Sequence, residues 1–226
     1  MRVLVGLAAM SALLLAPVAA GAAVLTYSQT FPDGYLQTDW DGTTQNVTLP
    51  QFDPARGALT GVQLSLLGEI NTSGALTNNT EAAIDVDSYS ASLEIAVLAP
   101  GSLTPLLSVV PALFGASNFS VDPGSSVTWG GESPVSDSAK DSTSITTSFA
   151  PYVGTGSLLF PLTADTDTAF EATGGNLDFT QDTRARATVT IAYTYDLVEA
   201  TDVPEPASAA LLGAGLVGLG LLRRRS

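Results

Sequence analysis

The stretch that decides the fold is Arg186-Ala-Thr-Val-Thr-Ile-Ala-Tyr-Thr-Tyr-Asp-Leu197. Its apolar residues alternate with mostly polar ones, and a period of two places alternate side chains on opposite faces of a β-strand. The apolar set is Ala187, Val189, Ile191, Tyr193, Tyr195 and Leu197. Thr, Val, Ile and Tyr also favour strands. The stretch therefore predicts an antiparallel strand with one buried face and one face toward water.

The same alternation recurs in residues 59–66 and 89–97. Further strands are predicted at residues 23–31, 45–49, 126–129, 144–149 and 157–162. Turn chemistry lies between them, at Asn71-Thr-Ser-Gly and Asp122-Pro-Gly-Ser-Ser. Many short strands separated by turns predict an all-β fold in one domain, an antiparallel β-sandwich that is jelly-roll-like.

One apolar segment, residues 103–114, is ambiguous because Pro105 and Pro111 interrupt it. A loop, a short helix and an edge strand all fit this composition. The region between the two chain ends shows no sustained helical periodicity.

The N-terminus has the layout of a signal peptide, predicted to span residues 1–22. Arg2 supplies a positive charge, an apolar run follows, and small residues after Pro17 resemble a cleavage site. We therefore expect export of the β-sandwich, which is predicted to span residues 23–198. An acidic linker is expected at residues 199–206, between the sandwich and the C-terminal segment.

The C-terminal segment, residues 207–226, predicts a transmembrane anchor. Its sixteen uncharged residues would form a helix of roughly 24 Å, which is marginal for a bilayer core of about 30 Å. The run ends in Arg223, Arg224 and Arg225, which are expected to stay on the cytoplasmic side and stop translocation. A short span with this orientation predicts a transient anchor in the inner membrane.

Acidic residues dominate the part between the two ends. All 22 Asp and Glu lie between Asp33 and Glu205, with only four Lys and Arg, which gives a formal charge of about −18. Nucleic acid is excluded as a partner because phosphate binding needs clustered cations. The acidity is typical either of cation binding or of a soluble, self-repelling surface protein.

The densest carboxylate pairs are the candidate metal ligands. They are Asp39 and Asp41, Asp85 and Asp87, and Asp165 and Asp167. None continues into the twelve-residue calcium loop with its later Glu. Ca²⁺ is therefore the one cofactor that the sequence leaves open, and no other is predicted.

The chain has no Cys and no His, which excludes thiol nucleophiles, His-based triads and structural zinc sites. A Ser-x-x-Lys pair fails because Asp137 occupies the required position before Lys140. No catalytic residues are predicted. A pair of carboxylates for glycoside hydrolysis stays open, although two Trp residues give little sign of a sugar-stacking cleft.

The C-terminal segment resembles the PEP-CTERM sorting signal of Gram-negative bacteria. The resemblance rests on Val203, Pro204, Glu205 and Pro206, the small-residue run and the Arg tail. It implies recognition by an exosortase, a membrane-embedded protease that cuts near the Pro-Glu-Pro, followed by location at the cell surface or outside the cell. It also implies a link to exopolysaccharide and biofilm.

A second resemblance concerns residues 49–66, which are similar to the opening of choice-of-anchor E domains. The matching residues are Phe52, Asp53, Pro54, Gly57, Leu59 and Thr60. The resemblance implies a surface β-domain and carries over no catalytic residue. The residues themselves predict a turn capped by Asp53, and a ligand loop that uses Asp53 and Arg56 is the alternative.

Two functions are consistent with these features. The first is a non-catalytic cell-surface or matrix protein that associates with polysaccharide. The second is a secreted glycan-active enzyme that depends on carboxylates.

Overall fold

The computed structural model describes residues 21–130, 134–173 and 175–197. The described residues form ten strands and two short 3-10 helices, Pro54–Arg56 and Ala150–Tyr152. The strands are β1 Ala22–Gln37, β2 Trp40–Pro50, β3 Gly57–Asn78, β4 Ile84–Leu98, β5 Pro105–Val109, β6 Ala112–Val121, β7 Ser126–Trp129, β8 Val135–Ile145, β9 Ser157–Thr173 and β10 Leu177–Leu197. Across these ranges, no helix is long and apolar enough to cross a membrane. The predicted linker and anchor lie outside the described residues, as does all but the end of the predicted signal peptide.

The strands form two five-stranded antiparallel sheets. In sheet A the order is β1-β10-β3-β7, and β8 also pairs with β3. In sheet B the order is β2-β9-β4-β5, and β6 also pairs with β4. The chain changes sheet at every connection except β4–β5–β6 and β7–β8. The predicted all-β antiparallel sandwich is confirmed.

The main core lies between the two sheets. The predicted inner residues of β10 supply its centre: Ala187, Val189, Ile191 and Tyr193 are fully buried. Residues of β3, β4 and β9 pack against them, including Leu64, Ile95 and Phe160. Each fully buried side chain of this size contributes about 1.5–3 kcal/mol of transfer free energy. The alternation in the sequence therefore identified the face that holds the sheets together.

Leu197 departs from this pattern. It was predicted to point inward, but it is 48% exposed. It is the last residue of β10, beyond Asp196, which is the final residue of β10 that pairs with β1. β10 thus extends one residue beyond its pairing with β1, and the side chain of that last residue is not covered by β1.

A smaller core cluster lies toward the other end of the strands. Its buried members are Leu76, Val86, Tyr89, Val121 and Trp129. Near it, the buried hydroxyl oxygens of Thr72 and Thr183 lie 3.1 Å apart. These groups are satisfied by one another, as burial of polar groups requires.

The turn predicted at Asn71-Thr-Ser-Gly is wrong, because these residues continue β3. Thr72 is 1% exposed and bonded to Thr183. Gly74 lies so close to Trp129 that an added Cβ would be 2.2 Å from the indole ring. Gly74 lacks a side chain because the Trp129 ring occupies the space above it.

The other local predictions have mixed outcomes. The turn after Asp122 is confirmed between β6 and β7. The strand predicted at 144–149 is wrong beyond Ile145, where β8 ends. The ambiguous segment at 103–114 resolves into β5 and the start of β6, with a break at Val110 and Pro111.

Candidate functional site

The outer face of sheet B carries acidic residues and no cation. Its five strands contain Asp41, Asp85, Asp87, Glu94, Asp165, Asp167 and Glu171 and not one Lys or Arg. Of the cations in the described residues, Lys140, Arg184 and Arg186 lie on strands of sheet A, and Arg56 lies in a 3-10 helix. The two faces of the sandwich therefore differ in charge.

Two of the three predicted carboxylate pairs meet on this face. The backbone N–H of Asp39 donates to the carbonyl of Ala164 at 2.7 Å, and Asp41 lies opposite Thr163. Asp41 and Asp165 are therefore diagonal neighbours on β2 and β9. Residues in such positions lie about 7–8 Å apart, so the two carboxylates are near neighbours on the surface.

Glu94 joins the same group and was not predicted as a site residue. It lies directly opposite Asp165, and both side chains are exposed. Like charges in directly opposite positions repel each other. The alternation of β4 places Glu94 on the outer face, but the register that pairs it with Asp165 cannot be read from the sequence.

The third predicted pair lies elsewhere. Asp85 is opposite Thr173 in the β4–β9 ladder, eight residues along β9 from Asp165, or about 26 Å at the rise of a strand. Asp87 sits at an irregularity in the ladder and accepts a hydrogen bond from the Thr173 hydroxyl at 3.3 Å. The six predicted carboxylates therefore do not form one site.

No preformed metal site is present in the part of the chain that the structure describes, where no three acidic side chains are grouped closely enough to hold an ion. The carboxylate of Asp41 is already engaged, since its Oδ1 accepts from the Thr43 hydroxyl at 2.7 Å and from the Thr43 N–H at 2.9 Å. These hydrogen bonds lower the pKa of Asp41, the bond from the Thr43 side chain contributing most. The carboxylate is therefore held ionised by local bonds.

The Asp53 segment forms the capped turn that its residues predict. The Oδ1 of Asp53 accepts from the N–H of Ala55 at 2.9 Å, which caps the short helix Pro54–Arg56. Phe52 just before it is fully buried. The carboxylate of Asp53 thus accepts a backbone hydrogen bond at the start of the helix. This geometry gives no support to the alternative of a ligand loop at Asp53 and Arg56.

The buried tyrosines act as hydrogen-bond donors. The Tyr89 hydroxyl donates to Gln181 Oε1 at 2.6 Å, and burial raises the pKa of Tyr89 to about 12. The Tyr193 hydroxyl donates to the carbonyl of Pro50 at 2.8 Å, and burial raises the pKa of Tyr193 as well. Both phenols therefore stay protonated at neutral pH and cannot serve as bases there.

A shallow, open pocket of about 350 Å³ lies where β9 meets β10. It is lined by Phe170, Ala172, Gly175, Asn176 and Leu177. No carboxylate lines it, so the acidic group on sheet B and this pocket are separate features. These lining residues favour binding through apolar and amide groups.

The remaining sequence feature is the C-terminal segment, where residues 202–225 match the PEP-CTERM protein-sorting motif. The chain carries a PEP-CTERM sorting signal. The motif indicates export, a transient membrane anchor and sorting by an exosortase, a membrane protein, to the cell surface. The predicted motif residues Val203, Pro204, Glu205 and Pro206 and the stop residues Arg223, Arg224 and Arg225 fall inside the match and outside the described structure.

Comparison with solved structures gives weak similarities to virus particles. The infectious bursal virus derived T=1 particle is 12% identical with a TM-score of 0.23, covering 77% of this chain and 36% of that one. The VP2 subviral particle of infectious bursal disease virus is 12% identical with a TM-score of 0.25, covering 77% and 37%. The chain thus spans well under half of the length of these proteins. No curated protein matches the sequence.

Proposed function

We propose that this PEP-CTERM chain is an exported, non-catalytic protein of the cell surface or extracellular matrix of a Gram-negative bacterium. The sorting motif at residues 202–225 carries this proposal. In it, residues 1–22 direct export across the inner membrane, residues 23–198 form the β-sandwich, residues 199–206 link it, and residues 207–226 hold it in the membrane until an exosortase acts. The similarity of residues 49–66 to choice-of-anchor E domains fits a surface β-domain.

A binding function in exopolysaccharide or biofilm is supported by the character of the sandwich. The chain lacks His and Cys, so imidazole and thiol chemistry are absent. The acidic residues of sheet B lie on an exposed face rather than in a cleft. Such a face keeps the protein soluble, and it can join an anionic polymer through shared divalent cations such as Ca²⁺.

The processing route is tested at the mature C-terminus. Cells that express the full chain are fractionated, and the C-terminal peptide is identified by mass spectrometry. We expect loss of Arg223, Arg224 and Arg225 from the surface form, and retention of these residues when the exosortase gene is deleted. Most of the surface protein ending in Ser226 would overturn the cleavage proposal.

Replacement of Pro204, Glu205 and Pro206 by alanine should leave export intact and block release. A matched control replaces Ala207, Ser208 and Ala209 by glycine, which alters the same segment outside the Pro-Glu-Pro. Equal release of the two variants would show that the tripeptide is not the recognised element.

A carboxylate-dependent glycan-active enzyme is the second candidate, because Glu94 and Asp165 lie directly opposite each other. Directly opposite residues have Cβ atoms about 4.5–5.5 Å apart, near the carboxyl separation of retaining glycosidases. Their exposure argues against this role, since a general acid gains its raised pKa through burial. Reproducible glycan hydrolysis by the full chain that disappears in both Glu94→Gln and Asp165→Asn would establish this candidate and defeat the first.

A further inference from the structure

Among the described strands, the sandwich is open along one side next to residues 165–173 of β9 and 177–183 of β10, a region that we call the lateral opening. Pairing of β1 with β10 reaches only to Arg184, and pairing of β2 with β9 reaches only to Ala164. The chain crosses between the sheets at this boundary, where Thr38 N–H donates to the carbonyl of Thr183 at 3.1 Å. Beyond it, residues 165–173 of β9 and 177–183 of β10 have no described strand on their outer edges.

The exposure of inward-facing residues marks the opening. On β9, Phe160, Leu162 and Ala164 are fully buried, whereas Phe170 on the same face is 44% exposed. On β10, Phe179 is 40% exposed although the inner residues from Ala185 to Tyr193 are fully buried. The alternation that builds the core therefore continues into a region that no described strand covers.

The floor of the opening is held in place. Phe179 stacks on Trp129 with ring centroids 6.0 Å apart, and Tyr89 lies 5.6 Å from Phe179. The turn between β9 and β10 packs on β4, since a Cβ at Gly175 would fall 2.1 Å from Ile84 Cδ1. Phe179 thus belongs to a packed ring cluster, and Phe170 lies opposite Tyr89 in the β4–β9 ladder.

The charge around the opening is one-sided. The two open stretches carry Asp165, Asp167, Glu171, Asp178 and Asp182. The nearest cation along β10 is Arg184, and its guanidinium is bound to the carboxylate of Asp182 at 3.1 Å. A second copy pairing through the same edge would place carboxylates against carboxylates, which opposes self-association.

We propose that the lateral opening binds an extended, cationic peptide segment of a partner protein, which adds to the free edge of β9 over residues 165–173. A free strand edge offers N–H and C=O groups in the spacing that an added strand uses. On the outer face, basic side chains of the segment pair with Asp165, Asp167 and Glu171. On the inner face, its alternate apolar side chains cover Phe170 and Ala172. Nine strand residues span about 30 Å, so a segment of about nine residues fills the edge.

This inference goes beyond the proposed function and does not depend on it. The sorting route concerns residues 202–225, whereas the opening is a property of β9 and β10. Binding is measured on purified protein, so failure of one proposal leaves the other standing.

The test uses the full chain in mild detergent and a fluorescent nine-residue peptide of alternating Lys and Val, followed by fluorescence anisotropy. We expect saturable binding that weakens about tenfold in the double variant Asp165→Asn, Asp167→Asn and about tenfold in Phe170→Ser. Matched controls are Asp85→Asn, which removes a carboxylate from β4 outside the β9 edge, and Leu159→Ser, which removes an apolar side chain that is 49% exposed on β9 before the opening. Both controls should bind as the parent does.

The backbone contribution is tested without altering the protein. A peptide N-methylated at the amides that face β9 should lose binding, whereas methylation of the opposite amides should be tolerated. Hydrogen exchange should slow at residues 165–173 on binding. Absence of binding at millimolar peptide, equal binding of both methylated peptides, or protection elsewhere would overturn the proposal. So would saturable binding of neutral oligosaccharides that Phe170→Ser removes, in the absence of peptide binding.

Discussion

Tyr89 makes the stability of the sandwich depend on alkaline pH. Its side chain is 2% exposed, contacts Trp129 and Phe179 below the lateral opening, and donates a hydrogen bond to Gln181. Burial raises its pKa from 10.0 to about 12. Between these values the unfolded chain loses the phenolic proton and the folded chain keeps it. The contribution of Tyr89 is therefore complete below pH 10 and is lost as the pH rises toward 12.

The size of the effect follows from the shift. Two pH units at about 1.4 kcal/mol each give an upper bound of about 3 kcal/mol. The actual loss is smaller than this bound because the folded chain can rearrange around the charged phenolate, and we expect about 1–2 kcal/mol from this residue. Tyr193 and Tyr152, whose pKa values are also raised by burial, act in the same direction.

The assay is denaturant unfolding of the full chain in detergent at several pH values, with tyrosinate absorbance recorded in parallel. Tyr89→Phe loses the bond to Gln181 and should be about 1 kcal/mol less stable than the parent at pH 7. Because phenylalanine does not ionise, this difference should shrink or reverse by pH 12. Phe179→Leu is the matched control, since it disturbs the same ring cluster without removing a titratable group. A constant difference between Tyr89→Phe and the parent across the whole pH range would refute the reasoning.

Three further predictions concern local packing and are measured by thermal unfolding of the full chain. Gly74→Ala places a Cβ against the Trp129 ring and should cost about 1–3 kcal/mol, whereas Gly115→Ala, with its nearest atom at 3.6 Å, should cost far less. Arg186→Ala removes a two-bond contact with Glu69 and a cation over the Tyr35 ring at 4.9 Å, so it should lower the melting temperature more than Arg184→Ala; equal losses would contradict this. Asp53→Ala removes the cap of the helix Pro54–Arg56 and should lower the free energy of unfolding by about 1 kcal/mol. Binding of the Lys-Val peptide should not change, and a change in that binding would make Asp53 a ligand residue.

The strands were predictable from the sequence where alternate side chains pack against the opposite sheet. Residues 187–195 alternate because every second side chain enters the common core, and this alternation can be read directly from the order of the residues. The same logic failed at Asn71-Thr-Ser-Gly74. Gly74 allows the close approach of Trp129, and Thr72 forms a buried hydroxyl pair with Thr183. Both partners lie on strands that are far away in the chain.

The grouping of the carboxylates was only partly predictable. The sequence shows each pair because its members are two residues apart, and a period of two puts both on one face. It does not show that Asp165 lies between Asp41 and Glu94, because that depends on the registers of β2 and β4 with β9. Register is a property of the folded pair of strands rather than of either strand alone.

The lateral opening was not predictable at all. Phenylalanine side chains are usually buried, and Phe170 and Phe179 are half exposed because the β1–β10 and β2–β9 ladders end early. A strand's length can be estimated from its pattern, but the length of its neighbour along the same edge cannot. The exposed rings therefore became visible only once all four strands were placed.

The charged residues are distributed unevenly between the two sheets. Strands of sheet A combine carboxylates with three cations, whereas strands of sheet B carry carboxylates alone. Such a particle has a dipole moment directed across its thickness, and a charged support turns it before contact is made. On a positively charged bead the sandwich should bind through sheet B, which leaves the outer face of sheet A turned away from the bead. Immobilisation by charge would thus orient the protein without any engineered tag.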